Sequence, residues 1–219
     1  MTLFRNLGKL FIMQEKIKHF LAAAHKVGAM GLTRCSSGNL SWRIGNEALV
    51  SATGSWVPEL REDQVALCDI ATGRSLNGVR PSMESSFHLA ILRERQDVNA
   101  VLHCQSPAAT TIACMKERPT DFNVTAELPC HCGKEIAQIP YYRPGSPELA
   151  RAVTQAMRTH DSALLLKHGQ VFVGKDLNSA IEKAAFLEMA CDIILRAQGQ
   201  HMVFTADEVA DIEHVFLGK

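Results

Sequence analysis

Three short polar motifs constrain this chain most strongly, because each lies where an apolar, strand-like run meets a turn or the start of a helix. They are Pro-Ser-Met-Glu at 81–84, Leu-His-Cys-Gln-Ser at 102–106 and Leu-Lys-His-Gly at 166–169. The ends of core strands can meet although they are distant in sequence, so Glu84, His103 and His168 can converge. One carboxylate with two imidazoles is a mixed oxygen and nitrogen set that suits a divalent ion of the zinc or manganese kind.

Each of these residues also has an ordinary structural explanation. An acid in the first turn of a helix, as expected for Glu84, is favoured by the helix dipole. His103 ends an apolar strand and could be a core histidine, and the glycine after His168 permits a sharp turn. We prefer the metal interpretation because Glu84, His103 and His168 are all expected at the ends of core strands, where they can meet. Gln105 occupies the second arm of a His-x-His pair, and its neutral amide could ligate the metal weakly or bond water or substrate instead.

Composition narrows the class of protein. A chain of 219 residues, 47% hydrophobic, can bury a full core and predicts one domain over 1–219, with 1–12 as a possible extension before a helix that begins well at Met13. The 23 basic and 23 acidic residues balance, so no nucleic-acid partner is indicated. There is neither a membrane-length apolar run nor a signal-peptide pattern, so no membrane association is expected. Seven cysteines, several in apolar settings, favour the reducing cytoplasm.

Short strand-like and helical segments alternate along the chain. Hairpin-like pairs on short connections favour a mainly antiparallel sheet covered by helices, in a three-layer α/β/α arrangement, over a doubly wound parallel sheet. The predicted helices cover 10–30, a segment after Ser82, 107–115, a segment opened by Ser146, 177–197 and a last helix capped at 205–208. The predicted strands are 39–44, 48–51, 65–70 paired with 78–79, 100–103, 136–141, 163–167 and 170–173.

Small polar turns form a second constellation. They are Ser-Ser-Gly-Asn at 36–39, Ala-Thr-Gly-Ser at 52–55, and Ser82. Turns of this kind can present backbone N–H groups and hydroxyls to a phosphate, although each alone is also ordinary turn chemistry. Three of them flank the strands that carry the metal candidates, which favours a phosphate site.

Taken in order, these motifs resemble the class II aldolase/adducin family. The resemblance rests on Ser-Gly-Asn-Leu-Ser at 37–41, Thr-Gly at 53–54, the three motifs above, and Tyr-Tyr-Arg-Pro-Gly-Ser-Pro at 141–147, and it runs from about Met13 to Ala197. It implies Glu84 as the catalytic acid/base that also ligates the metal before substrate arrives. It implies His103 and His168 as zinc ligands, with Gln105 in the place of a third.

The same resemblance implies further roles and leaves alternatives. Asn39, Thr53, Gly54 and Ser82 match a phosphate cradle, while Met83 stands where fuculose-phosphate aldolases tend to have a serine. The implied activity is retro-aldol cleavage of a phosphorylated ketose, like that of L-fuculose-1-phosphate aldolase, by a Zn²⁺-dependent cyclic homotetramer. Other reactions of the family, namely 4-epimerisation, dehydration and 3-oxo-tetronate 4-phosphate decarboxylation, remain alternatives. So does an adducin-like binding protein without catalysis.

The segment Cys-His-Cys at 130–132 is a dense group of soft ligands. No second Cys/His pair lies at the usual distance from it, so we interpret it as a loop lining or partner-facing segment rather than a second metal site.

Overall fold

The computed structural model describes residues 2–217, and side chains from residue 11 to residue 216. In chain order its elements are α1 (Thr2–Ala29), β1 (Asn39–Ile44), β2 (Glu47–Ser51), β3 (Val65–Asp69), α2 (Ser85–Glu94), β4 (Ala100–Cys104), α3 (Pro107–Cys114), α4 (Glu127–Cys132), β5 (Ala137–Ile139), α5 (Pro147–Ala156), β6 (Ser162–Leu165), β7 (Gly169–Gly174), α6 (Leu177–Ala197) and α7 (Ala206–Leu217). Across this described range, no helix is both long enough and apolar enough to cross a membrane.

The strands form one seven-stranded sheet in the order β3-β2-β1-β4-β7-β6-β5. Neighbouring strands pair antiparallel throughout, except for the parallel pair β5–β6 at the edge. The predicted, mainly antiparallel sheet is therefore confirmed. Antiparallel neighbours run in opposite directions, so the start of β1, the end of β4 and the start of β7 lie side by side where these central strands terminate.

Helices cover both faces of this sheet, which confirms the three-layer α/β/α prediction. Successive β4 residues serve opposite faces, as the two-residue period of a strand requires: Leu102 joins one buried cluster and Val101 the other. The Leu102 cluster includes side chains of α1, α3, α4 and α6, and the Val101 cluster includes those of α2 and α5. The central strands β4 and β7 are buried along their whole length, so their ends are fixed in place.

Local sequence signals set several helix boundaries. The Ser146 hydroxyl accepts a hydrogen bond from the Leu149 N–H, with proline at the first helical position, as predicted for α5. Asp176 and Ser179 cap the start of α6 reciprocally, and α6 spans the predicted 177–197.

Three local predictions differ from the structure. Helix α1 begins at Thr2 rather than at about residue 10, while Met1 lies outside the described residues. Residues 78–79 do not form a strand opposite β3. The Asn77 side chain takes that place: its Oδ1 accepts from the Leu67 N–H at 3.1 Å and its Nδ2 donates to the Val65 carbonyl at 2.9 Å.

The third difference concerns Cys-His-Cys at 130–132, which we predicted as a loop lining or partner-facing segment. It lies in the short helix α4, with Leu128, Pro129 and Cys132 buried. The Cys132 thiol donates to the Lys183 carbonyl of α6 at 3.2 Å, so this helical segment packs against α6.

Candidate active site

Three elements bring the predicted metal ligands to one edge of the sheet. His103 is the penultimate residue of β4, and it stands opposite Asn39, the first residue of β1. His168 occupies the turn between β6 and β7, next to β4 in the sheet. Glu84 is the N-cap residue of α2, one position before the first helical residue, and its side chain makes no capping hydrogen bond. The carboxylate is therefore free to point toward the histidines.

The three side chains form a compact, buried group. Glu84 Oε2 lies 3.4 Å from His103 Nε2, and Glu84 Oε1 lies 3.6 Å from His168 Nε2. The two imidazole centroids are 4.8 Å apart and their planes are inclined at 69°. All three potential ligand atoms lie within 4.8 Å of one another. One ion could contact all of them at ordinary ligand distances of about 2 Å.

The tautomer of His103 follows from its hydrogen bond. Its Nδ1 lies 2.8 Å from the Gln170 carbonyl oxygen, which can only accept, so Nδ1 carries the proton. In the neutral ring the Nε2 lone pair is then exposed to Glu84 and His168. A ring nitrogen fixed by a backbone carbonyl on its far side is the usual support of a metal-binding histidine.

His168 is also suited to be a neutral ligand. Burial and the neighbouring His103 lower the pKa of His168 to about 4, although the Glu84 carboxylate acts in the opposite direction. A metal ligand must offer a lone pair, so a ring that is neutral at pH 7 is prepared for this role.

The donor set fits a divalent metal ion. Glu84 Oε1, which faces His168 Nε2, is a buried polar atom without a hydrogen-bond partner among the described residues. Buried unpartnered polar groups are rare, and a bound ion is one of the few physical explanations for them. Glu84, His103 and His168 could therefore hold the metal that the sequence predicted, and one carboxylate with two imidazoles leaves positions open for substrate.

The predicted phosphate residues line the same cavity. This cavity of about 620 Å³ is bounded at one side by the turns at 36–39 and 52–55 together with Ser82, and at the other by the metal candidates. Met83 also lines it and is 61% exposed, so the departure from a serine places a thioether at the mouth. Tyr141, Pro144 and Lys167 complete the wall.

Gln105 lines the same cavity as the metal candidates. It follows β4 immediately and is half-buried. Its Cγ would be 2.9 Å from a Cβ added at Gly169, so it packs against the start of β7. Whether its amide contacts the ion stays a prediction.

Sequence reasoning missed one residue of the site. His88, one helical turn after Glu84 on α2, is fully buried and hydrogen-bonds Asn39, which in turn donates to Glu84 Oε2 at 3.0 Å. The spacing of four residues on one helix face was the available signal, since such residues are neighbours. Cys130, His131 and Cys132, by contrast, belong to no metal-competent group in the described part of the chain.

The sequence is similar to those of known proteins. The chain is 32% identical over 188 residues to a 3-oxo-tetronate 4-phosphate decarboxylase of Haemophilus influenzae, covering 84% of this chain and 89% of that protein. It is 32% identical over 182 residues to an L-fuculose phosphate aldolase of Methanocaldococcus jannaschii, covering 81% and 94%.

The fold has close structural counterparts. The crystal structure of YgbL from Escherichia coli superposes with a TM-score of 0.85 at 26% identity, covering 92% of this chain and 99% of that one. The family model of the class II aldolase and adducin N-terminal domain matches residues 18–195, a range that includes every predicted site residue.

Proposed function

This chain belongs to the class II aldolase and adducin family, and we propose that it is a metal-dependent lyase that cleaves a phosphorylated ketose by retro-aldol chemistry. The resemblance stated from the sequence, the class II aldolase-like fold and the assignment to a family of lyases are thereby confirmed. The single observation that carries the proposal is the buried group of Glu84, His103 and His168 at the inner end of a polar cavity.

Glu84, His103 and His168 would hold the ion, which we propose to be Zn²⁺ or another divalent metal. When bound there, such an ion acts as a Lewis acid toward the oxygen atoms of a ketose. The protein's own contribution is to prepare the two imidazoles as ligands. The Gln170 carbonyl behind His103 fixes the tautomer and orientation of that ring, and burial lowers the pKa of His168.

Glu84 is proposed as the acid/base. In retro-aldol cleavage the hydroxyl on the departing carbon gives up its proton to a base and becomes the carbonyl of the aldehyde. The carbon–carbon bond breaks at the same time, and its electron pair moves toward the ketone to leave an enediolate. The enediolate carbon then needs one proton, which a carboxylic acid at this position can give. Glu84 is buried and has one oxygen without a hydrogen-bond partner, so a proton can be held there next to the cavity.

The remaining wall of the cavity would bind the phosphate. Gly54 adopts a left-handed backbone conformation (φ 73°), and a Cβ there would meet no neighbouring atom, so the turn at 52–55 is open toward solvent. Thr53, Gly54, Ser82 and Asn39 are proposed as this cradle. Binding the non-reacting end of the substrate positions the reacting carbons over the metal candidates.

The substrate is proposed to be a ketose 1-phosphate of the L-fuculose type, with dihydroxyacetone phosphate as one product. A second reaction, decarboxylation of a 3-oxo acid 4-phosphate, is supported by a relative of equal identity that carries that name. Both reactions leave an enediolate-type charge, so the same residues serve either. Both reactions give dihydroxyacetone phosphate, so the second product distinguishes them: an aldehyde from retro-aldol cleavage, or carbon dioxide from decarboxylation.

The test of the proposal is Glu84→Gln, which preserves the shape of the side chain and removes its proton transfer. We expect the release of dihydroxyacetone phosphate from L-fuculose 1-phosphate to fall by about 10²–10⁴-fold with the fold intact. Glu94→Gln, at the exposed far end of the same helix, is the matched control and should retain activity. Wild-type turnover by Glu84→Gln would show that Glu84 is not the acid/base of the reaction.

The rival is an adducin-like binding protein without catalysis. Elemental analysis of untagged protein distinguishes it: failure to take up zinc or manganese at micromolar concentration would favour the rival. We further propose that the chain acts as one domain in the cytoplasm and assembles as a cyclic homotetramer, in line with the resemblance stated above.

A further inference from the structure

Behind Glu84 lies a chain of buried polar side chains that the proposed reaction does not use directly. Asn39 Nδ2 donates to Glu84 Oε2 at 3.0 Å, Asn39 Oδ1 lies 2.5 Å from His88 Nε2, and His88 Nδ1 lies 2.8 Å from the Ser41 hydroxyl. Ser41 and His88 are 0% exposed and Asn39 is 6% exposed, so solvent does not compete for these bonds.

The donor and acceptor roles along this chain are determined by chemistry. A carboxylate only accepts, so Asn39 must turn its amide nitrogen toward Glu84 and its oxygen toward His88. That oxygen also only accepts, and therefore the proton of the neutral imidazole must be on His88 Nε2. His88 Nδ1 then accepts from the Ser41 hydroxyl. Each hydrogen bond from Ser41 through His88 and Asn39 to Glu84 therefore joins a donor to an acceptor.

Electrostatics keeps His88 in this neutral form. Burial, together with the nearby His103, lowers the pKa of His88 to about 3. The ring is also held in place by Phe87, whose centroid is 4.7 Å away at an interplanar angle of 23°. His88 is thus a fixed hydrogen-bond donor at neutral pH.

We propose that His88 is a positioning residue for the acid/base of the proposed reaction: through Asn39 it fixes the orientation of the Glu84 carboxylate toward His103 and His168. The inference rests on the proposed function for its catalytic consequence. If His88 lost its proton donor, the Asn39 amide could rotate and present its oxygen to Glu84. Two acceptors would then face each other, and the carboxylate would turn away from the imidazoles.

This assignment also refines the role of Asn39. An amide group has two N–H donors, and one of them is committed to Glu84. The other remains available for the phosphate proposed above. Asn39 therefore links the acid/base to the cradle, and Ser41, two residues further along β1, anchors the far end of the same network.

A merely structural role for His88 makes a different prediction. Loss of buried hydrogen bonds alone would lower stability and leave the site geometry intact. The distinguishing readouts are Co²⁺ affinity of the metal-free protein, measured by calorimetry, and the separate effects on kcat and KM for L-fuculose 1-phosphate.

We expect His88→Phe to weaken Co²⁺ binding and lower kcat by about 10–100-fold each, with KM nearly unchanged, because supporting partners of metal ligands have effects of this size. His88→Gln, which keeps one donor and one acceptor, should recover most of both. His25→Phe is the control, since His25 lies on α1, bonds the Leu60 carbonyl and does not line the cavity. Wild-type Co²⁺ affinity and kcat in His88→Phe would overturn the proposal.

Two further measurements keep the result decisive. If His88→Phe does not fold, Ser41→Ala replaces it: weakened Co²⁺ binding supports the proposal and wild-type affinity overturns it. Nitrogen-15 NMR of the metal-free wild-type protein should show His88 protonated at Nε2, and protonation at Nδ1 would also overturn it. A wild-type protein that binds Co²⁺ but cleaves no ketose phosphate contradicts the proposed function alone, because the Co²⁺ and NMR results still decide the role of His88.

Discussion

Position 105 carries an amide where the resemblance implies an imidazole, and the structure places this side chain at the wall of the cavity. A neutral amide oxygen stabilises a divalent ion less than an imidazole does. We therefore expect Gln105→His to tighten Zn²⁺ binding, by about tenfold or more, without loss of the fold. Competition with a chelator measures this, with Gln96→His on the exposed surface as control. Unchanged affinity would show that the side chain points away from the metal.

His88 also gives the protein a pH-dependent stability. Its pKa in the folded state is about 3, because of burial and the nearby His103, whereas in the unfolded chain the ordinary value is 6.5. Below pH 6.5 the unfolded chain gains a proton that the folded protein does not. The stability contribution is therefore fully present above pH 6.5 and is lost as the pH falls toward 3.

Between pH 7 and pH 5 this effect should lower the free energy of unfolding by about 2 kcal/mol. The His88→Gln variant lacks the titrating ring, so urea titrations should show a smaller fall for it over the same interval. Equal falls in the two proteins would contradict the buried neutral state of His88.

At the scale of elements, the contact between β4 and β7 decides the site. A Cβ at Gly169 would lie 2.4 Å from the Cys104 carbonyl oxygen and 3.2 Å from His103 Cε1. Gly169→Ala must therefore push the two strands apart at the point where they carry His103 and His168. We expect a loss of about 1–3 kcal/mol in stability together with weaker Zn²⁺ binding.

The matched control for that prediction is Gly45→Ala in the β1–β2 hairpin. Gly45 has φ 64°, and a Cβ there meets no atom, so the substitution introduces backbone strain away from the metal candidates. Thermal unfolding should show lower stability for both variants, whereas Zn²⁺ titration should show weaker binding only for Gly169→Ala. Equal Zn²⁺ affinity in the two variants would show that the β4–β7 contact does not affect metal binding.

At the scale of the whole molecule, the proposed homotetramer should have a mass near four times the 24.1 kDa of one chain. Light scattering coupled to size-exclusion chromatography measures this directly. Exposed apolar side chains on the last two helices, including Ile193 and Phe216, are compatible with a subunit contact. A mass near that of one chain at working concentration would contradict the tetramer.

The sequence by itself determined the local elements and the identity of the metal candidates. The bounds of α6 and the cap of α5 were predictable because periodicity and capping depend on residues a few positions apart. Glu84, His103 and His168 were predictable as a group because each lies where an ordered element begins or ends: Glu84 just before α2, His103 near the end of β4 and His168 just before β7. The mainly antiparallel sheet followed from short connections between strand-like runs.

Only the tertiary structure decided which groups face each other. The Asn77 side chain hydrogen-bonds the backbone of β3 in place of a strand at 78–79, and the segment at 130–132 is part of helix α4, which contacts α6. The bonds from Ser41 through His88 and Asn39 to Glu84 join residues up to 49 positions apart. Local patterns cannot encode such pairings, because they depend on the register of β1 against β4 and on how α2 packs over the sheet.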